Sequence, residues 1–211
     1  MNFKELKQKF KDSLIIDTQA ISLSNNPNYL RRQISEGKEK KWLIELRRGM
    51  YVINDLYFEE KISKLYIANK IYTPSYISLE YALSEYEIIP EKVTTVTSIT
   101  TRKTAYFKNH YGGFSYTKIK NNCFFGYKLI KHNNQNILYA TKEKALIDFL
   151  YINLKNIKED VNAFSEYRFQ NLQSFNFEKV TRMTSAFNNL KLNRLIKLLK
   201  EYAKEKEYKK L

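Results

Sequence analysis

Between Asn26 and Ile53 the chain changes its hydrophobic rhythm once, and that change constrains the fold more than any other stretch. Asn26 is a good helix N-cap, and Pro27 suits the first helical position, where its missing N–H costs nothing. Tyr29, Leu30, Gln33 and Ile34 then recur at helical spacing as far as Gly37, where a glycine is expected to end the helix. After the polar run Lys38-Glu39-Lys40-Lys41, residues 42–46 read as a strand, Arg47-Arg48-Gly49 as a tight turn around a residue free to take positive φ, and residues 50–53 as the returning strand. A short helix running straight into a hairpin predicts a winged helix. The segment before it supports that order: Phe3, Leu6 and Phe10 predict an amphipathic first helix among Lys4, Lys7, Lys9 and Lys11, and Asp17 or Thr18 can cap a second through Ile21 and Leu23. Ser24-Asn25-Asn26 then supplies the polar turn of a helix-turn-helix.

Four of the chain's eight arginines, Arg31, Arg32, Arg47 and Arg48, fall in this stretch, although lysine meets nearly every other need for positive charge. Arginine's planar fork grips phosphates and guanine edges in a way the lysine point charge does not. On a winged helix, the third helix enters the major groove and the wing reaches a phosphate or the minor groove. The candidate DNA contacts are therefore Asn28, Tyr29, Arg31, Arg32 and Ser35 on the helix, Lys38, Lys40 and Lys41 after it, and Arg47 and Arg48 on the wing. The alternative is a winged helix used only for protein contacts, its arginines solvated.

The net charge of +15 adds less than it promises, because abundant Lys, Asn, Ile and Tyr with scarce Gly (5) and Pro (3) is the pattern of AT-rich codons. It still predicts salt-dependent attraction to polyanions. Hydrophobic residues at 43% are ample for packed cores. No run approaches the ~20 apolar residues of a membrane span, and the charged start lacks the unbroken apolar run of a signal peptide, so no membrane partner and a cytoplasmic location are expected. The single Cys123 excludes an internal disulfide, and with only His110 and His132 beside it no metal site or cofactor is expected.

Beyond a boundary placed at 57/58, residues 58–211 predict a larger α+β domain. A connecting helix over 59–68 is followed by a helix starting at Thr73-Pro74-Ser75 and carrying Tyr76, Leu79, Tyr81, Ala82, Leu83 and Tyr86. Strands are expected at 92–99, 104–108, 114–119, 124–130 and 136–140, forming an antiparallel sheet, and Thr141 caps a helix over 142–151. The remainder reads as helical: 162–169, 177–188 and a last amphipathic helix from Leu190, with eight basic against three acidic residues from Lys191 to Leu211. The fold class expected is thus α+β, an N-terminal winged helix-turn-helix followed by an antiparallel sheet with flanking helices and a helical C-terminus.

The succession Arg47-Arg48-Gly49-Met50-Tyr51-Val52, the block from Ala68-Asn69-Lys70-Ile71-Tyr72-Thr73-Pro74 through Ser75-Tyr76-Ile77-Ser78-Leu79-Glu80-Tyr81-Ala82-Leu83, then Phe114-Ser115-Tyr116 and Ala140-Thr141-Lys142-Glu143-Lys144-Ala145-Leu146-Ile147-Asp148 resembles AbiEi-type antitoxins, over about residues 15 to 155. These are the regulatory halves of type IV toxin–antitoxin systems of abortive phage infection. The resemblance implies a winged helix binding inverted repeats in double-stranded DNA at its own promoter. It also implies a C-terminal domain that neutralises a nucleotidyltransferase-like toxin without a stable complex. The matched polar positions are the candidate antitoxin surface: Ser75, Tyr76, Ser78, Thr100, Thr101, Arg102, Lys103, Lys142, Glu143, Lys144 and Asp148. A structural role competes at each: Ser75 and Thr141 as caps, Lys142 and Lys144 as solvated charges, Asp148 pairing with Lys144 four residues away.

Catalysis is not expected. No Gly-rich phosphate loop or Ser/His/Asp constellation is present, and the acidic-x-Lys matches Glu36-Gly37-Lys38 and Glu59-Glu60-Lys61 fall on a helix end and a linker. A plain winged-helix regulator without a toxin, or an interaction or catalytic module whose winged helix only docks, stays open beside the antitoxin reading.

Overall fold

Pro27 opens α1 (Pro27–Glu39) in a mixed α+β protein whose computed structural model describes residues 8, 14–18, 27–54, 56 and 61–208. The first two helices expected, the Asn26 cap and most of the 57/58 boundary lie outside the described residues. Gly37 does not end α1. The helix closes at Lys41, which takes the left-handed conformation (φ 56°) while Trp42 N–H donates to Gly37 O (2.8 Å) and Lys41 N–H to Lys38 O (3.0 Å). That pair of bonds is a Schellman closure, and it satisfies carbonyls the last turn would otherwise leave orphaned. Gly37 serves packing instead: a Cβ there would stand 3.0 Å from Leu43 Cδ1, so the glycine lets α1 lie close on the following strand.

Strands β2 (Leu43–Arg47) and β3 (Met50–Ile53) form the expected hairpin, with Gly49 at φ 83° in its turn and a register shift between Glu45 and Arg47. A short strand β1 (Ile16–Asp17) adds antiparallel to β3, giving the order β1-β3-β2. Asp17 therefore lies in a strand, and Thr18 holds the hairpin tip, its N–H (2.8 Å) and hydroxyl (3.0 Å) both donating to Gly49 O. Because β3 is the central strand, Met50, Tyr51, Val52 and Ile53 are all buried.

The second sheet has the order β6-β7-β5-β4-β9-β8. Its strands are β4 (Ser75–Ile77), β5 (Val96–Thr100), β6 (Ala105–Asn109), β7 (Gly112–Lys118), β8 (Tyr127–His132) and β9 (Gln135–Ala140). The antiparallel sheet expected is in fact mixed: β5 pairs parallel with β7, and β4 parallel with β9. Turn chemistry fixes the local hairpins β6–β7 and β8–β9, whereas these two pairings join strands distant in the chain and leave no local mark. A second correction falls at residues 75–77. Ser75, Tyr76 and Ile77 form a buried strand, not a helix start, and α3 (Leu79–Glu85) begins only after Ser78. The connecting helix α2 (Lys64–Ile71) starts later than expected, at Ser63, whose hydroxyl accepts from Leu65 N–H (3.2 Å).

Thr141 caps α4 (Lys142–Ile152) as the sequence predicts, accepting from Lys144 N–H (3.3 Å). Of the helices expected after it, residues 161–165 form a 3₁₀ turn, while α5 (Phe177–Thr184) and α6 (Leu190–Tyr208) are helical. One buried cluster runs through the whole: Leu46, Met50 and Val52 of the small sheet share it with Ile67, Tyr76, Tyr116, Leu146 and Leu195. The two sheets also meet edge to edge, where the Asn109 side-chain amide on β6 donates to Leu46 O on β2 (2.9 Å). No helix among the described residues is long and apolar enough to cross a membrane.

Candidate functional site

The basic positions of α1 fall on the side away from the core. At about 100° per residue, Asn28, Arg31, Arg32 and Ser35 gather on one face and Gln33, Ile34 and Gly37 on the other. The burial follows that division, the first four exposed and the last three buried. Tyr29 stands beside them, 49% exposed. The charges are not equivalent. Arg32 Nε pairs with Glu36 one turn on (3.1 Å), and Lys38 Nζ with Glu45 on β2 (2.6 Å), the carboxylate holding the Lys38 ammonium above its ordinary range. Lys40 stacks over the Trp42 ring (4.7 Å). Arg31, Lys41 and Arg48 are exposed and have no acidic partner among the described residues.

Arg47 departs from the expectation that the wing presents two arginines outward. It is half-buried, its Nε donates to Met50 Sδ (3.0 Å), and its charge lies near the buried Tyr116 hydroxyl. Burial pushes that phenol well up, and the guanidinium offsets part of the rise. Position 47 is an inward-facing β2 position against the larger sheet, so Arg48 alone is left to reach outward from the turn.

The other set of candidates comes together, but inside the protein. Ser75, Tyr76, Ser78, Thr100, Glu143, Lys144 and Asp148 are all buried, so they do not form a surface. Asp148 and Lys144 are fully buried and ion-paired. The Tyr76 hydroxyl accepts from Lys144 Nζ (2.8 Å) and donates to Asp148 Oδ2 (3.0 Å), and the Ser78 hydroxyl donates to the same oxygen (2.8 Å). Ser78 stands before α3 without capping it, because its hydroxyl is committed to Asp148. The rings of Tyr76, Phe125 and Phe187 surround the ammonium at 5.3, 5.3 and 5.1 Å. Burial pushes the lysine pKa down and the Asp148 and Tyr76 pKa values up; each partner's charge opposes the shift of Lys144 and Asp148. A closed ion pair, with both Asp148 oxygens accepting hydrogen bonds, ties β4, the start of α3 and α4 together. It offers no group to solvent.

Nor are the remaining matched residues all free. Lys142, expected to be solvated, donates to Ser174 O and lies over the Phe175 ring at 5.5 Å. Glu143 accepts from Lys179 on α5 (3.0 Å). Burial raises the Glu143 pKa, and the Lys179 bond and charge together with backbone and Thr141 hydrogen bonds outweigh it, leaving the carboxyl below its usual range. Thr100 donates to Pro74 O (2.7 Å), and Ser75 buries its hydroxyl without a partner among the described residues. Arg102 lies over the Tyr72 ring (4.5 Å) with Nη1 on Thr73 O (3.3 Å), and together with Lys103 and half-buried Thr101 it is what this set leaves at the surface. The sequence reasoning missed Phe125 and Phe187, since no spacing links them to Lys144; an apolar residue beside Gly126, whose φ is 77°, was the available signal.

Cys123 is buried, with its thiol pKa pushed up by burial. Among the described residues, no three His, Cys, Asp or Glu side chains stand close enough to hold a metal ion. No protein-family model matches the chain, and no curated protein matches it in sequence.

Proposed function

We propose that this chain is a DNA-binding regulator whose reading element is α1 and whose wing is the β2–β3 hairpin, and that it serves as the antitoxin of a nucleotidyltransferase-like toxin. The observation that carries the DNA reading is the exposed face of α1. A helix that anchors itself through Gln33, Ile34 and Gly37 presents Asn28, Arg31, Arg32 and Ser35 outward, next to a hairpin turn carrying exposed Arg48. Those residue types suit phosphate and base-edge contacts. The antitoxin half rests on the resemblance over residues 15 to 155; with the Lys144 network closed, the surface offered to that task is Thr101, Arg102 and Lys103.

The test is operator binding by the full chain. Arg31→Ala with Arg32→Ala should abolish binding to an inverted repeat upstream of the gene and flatten the salt dependence, by about one unit of slope for each phosphate no longer gripped. Equal binding by the double variant at moderate salt overturns the assignment of α1. The same variant, expressed beside the toxin, separates the two halves: protection that persists without operator binding assigns neutralisation to the rest of the chain.

A further inference from the structure

A cleft of about 370 Å³ lies where the β8–β9 hairpin faces the start of α2 and the later part of α3. Its size is that of a small-ligand site. On the sheet side, Lys128 pairs across the strands with Tyr139, so the two share one face, and His132 continues that face along β8. On the helix side stand Tyr81, Glu85 and Tyr86 at the end of α3. Two of the three tyrosines are in contact, the Tyr86 and Tyr139 rings meeting edge to face at 5.9 Å, and the Tyr86 hydroxyl is fixed on Ala140 O (2.8 Å).

Tyr139 is the anomaly. It is 5% exposed, and its hydroxyl is buried with no hydrogen-bond partner among the described residues. A buried hydroxyl left unsatisfied costs roughly 1–3 kcal/mol, which a phenylalanine would have avoided. Burial and the nearby Glu85 charge hold Tyr139 well above the usual phenol range and raise Tyr81 as well, so both hydroxyls keep their protons. The imidazole is oriented as well. Ser63 Oγ, which accepts from Leu65 N–H, stands 3.0 Å from His132 Nδ1, and that contact leaves Nε2 on the other side of the ring from the serine.

We infer that this cleft binds a nucleoside phosphate. The base lies against the tyrosine rings, Glu85 accepts from its amino group, the Tyr139 hydroxyl completes its hydrogen bonds, and Lys128 with His132 Nε2 holds the phosphate. The combination of charges decides between ligand classes. A tyrosine cage with a carboxylate alone would suit an alkylammonium, but the Lys128 ammonium on the same wall repels one. An aromatic group that carries an anion uses all of them, and stacking on tyrosine serves any base. Free nucleotides and the terminal nucleotide of a single strand share this chemistry.

The full chain is titrated calorimetrically with GTP, ATP, CTP and UTP, and with a single-stranded pentanucleotide carrying a 5′-phosphate. Saturable binding of the amino-bearing nucleotides is expected, with UTP about tenfold weaker for want of a base amino group. Tighter binding of the pentanucleotide identifies a strand end as the source, and tighter binding of the triphosphates a free nucleotide. Tyr139→Phe should weaken binding about tenfold while leaving the melting temperature unchanged or higher, and Lys128→Ala should weaken nucleotides but not nucleosides. The Arg31→Ala, Arg32→Ala variant should bind as the parent does, which keeps this result separate from the operator test. No binding at millimolar nucleotide, equal affinity for UTP, or binding that survives both Tyr139→Phe and Lys128→Ala overturns the assignment.

Discussion

The two sheets of this protein treat charge in opposite ways. Around the three-stranded sheet, Arg31, Arg32, Lys41 and Arg48 face solvent, and the pairs that form there, Arg32–Glu36 and Lys38–Glu45, are exposed. Around the six-stranded sheet, Lys144 and Asp148 are at 0% exposure and Glu143 is at 6%. The difference teaches that polar residues in a recognisable motif carry two unrelated meanings. Outward arginines cost little to keep and are free to bind. An inward ion pair survives only because each charge has its partner and further hydrogen bonds from buried hydroxyls, so it fixes architecture.

The sharpest way to break this comparison is to remove one member of the inward pair. Asp148→Ala strands the Lys144 ammonium among three aromatic rings and should destabilise the protein by about 3–5 kcal/mol, the usual cost of an uncompensated buried charge. Replacing both partners, Lys144→Met with Asp148→Leu, should recover much of that loss, since the desolvation cost disappears with the charges. Chemical denaturation of the three proteins decides it. A single Asp148→Ala variant within about 1 kcal/mol of the parent would mean that solvent reaches the network, and with it the surface role first expected of these residues.

Outward charges should behave in the reverse sense. Arg31→Ala and Arg32→Ala together should leave stability within about 0.5 kcal/mol, as for surface substitutions generally, while the absence of each base-edge hydrogen-bond pair removes roughly 1–3 kcal/mol of discrimination at the operator. Within the hairpin proposed as a wing, Arg48→Ala should weaken the proposed DNA binding at low salt more than Arg47→Ala does. Arg47→Ala should instead lower the melting temperature, because its half-buried side chain lies against Met50. Gel-shift titrations at two salt concentrations, paired with thermal melts, read both effects. Equal loss of binding from the two wing variants would show that Arg47 swings outward when DNA arrives.

How much of this was legible in the sequence follows the same division. The α1–hairpin succession, the Gly49 turn and the Thr141 cap could be read, since each is local chemistry within a few residues. Gly37 was legible as special but not as a packing residue, because Leu43, the side chain it admits, lies beyond the helix end. The inward direction of Lys144 was not legible at all. Positions 143 to 150 of α4 are buried all round, α3 on one side and α5 and α6 on others, so apolar periodicity marks no solvent face and the charges look like one. Tyr76 was read as helical for a related reason. A strand as short as β4, enclosed by β5 and β9, carries no alternation to distinguish it. For the site, the exposed arginines were found by their rarity, whereas the tyrosine cleft brings together α3, β8 and β9 and has no signature along the chain.

The smallest effect expected lies between the two extremes, at the half-exposed pair Glu143–Lys179, where side-chain exposures are 7% and 41%. Its folded carboxyl titrates below the usual range, so the folded state binds a proton less readily than the unfolded chain does. The stability this contributes is therefore fully present above the ordinary carboxylate pKa and is lost as the pH falls through the lower folded value. Solvent around Lys179 screens the pair, which limits the contribution to about 1 kcal/mol. Glu143→Gln should lower stability by that amount near neutral pH and leave it unchanged in strong acid, where the parent's carboxyl is protonated as well. Denaturation midpoints of the two proteins across that range measure the convergence. If instead the gap between them stays constant at every pH, Glu143 contributes through packing against α5, and the pair belongs with the uncharged core.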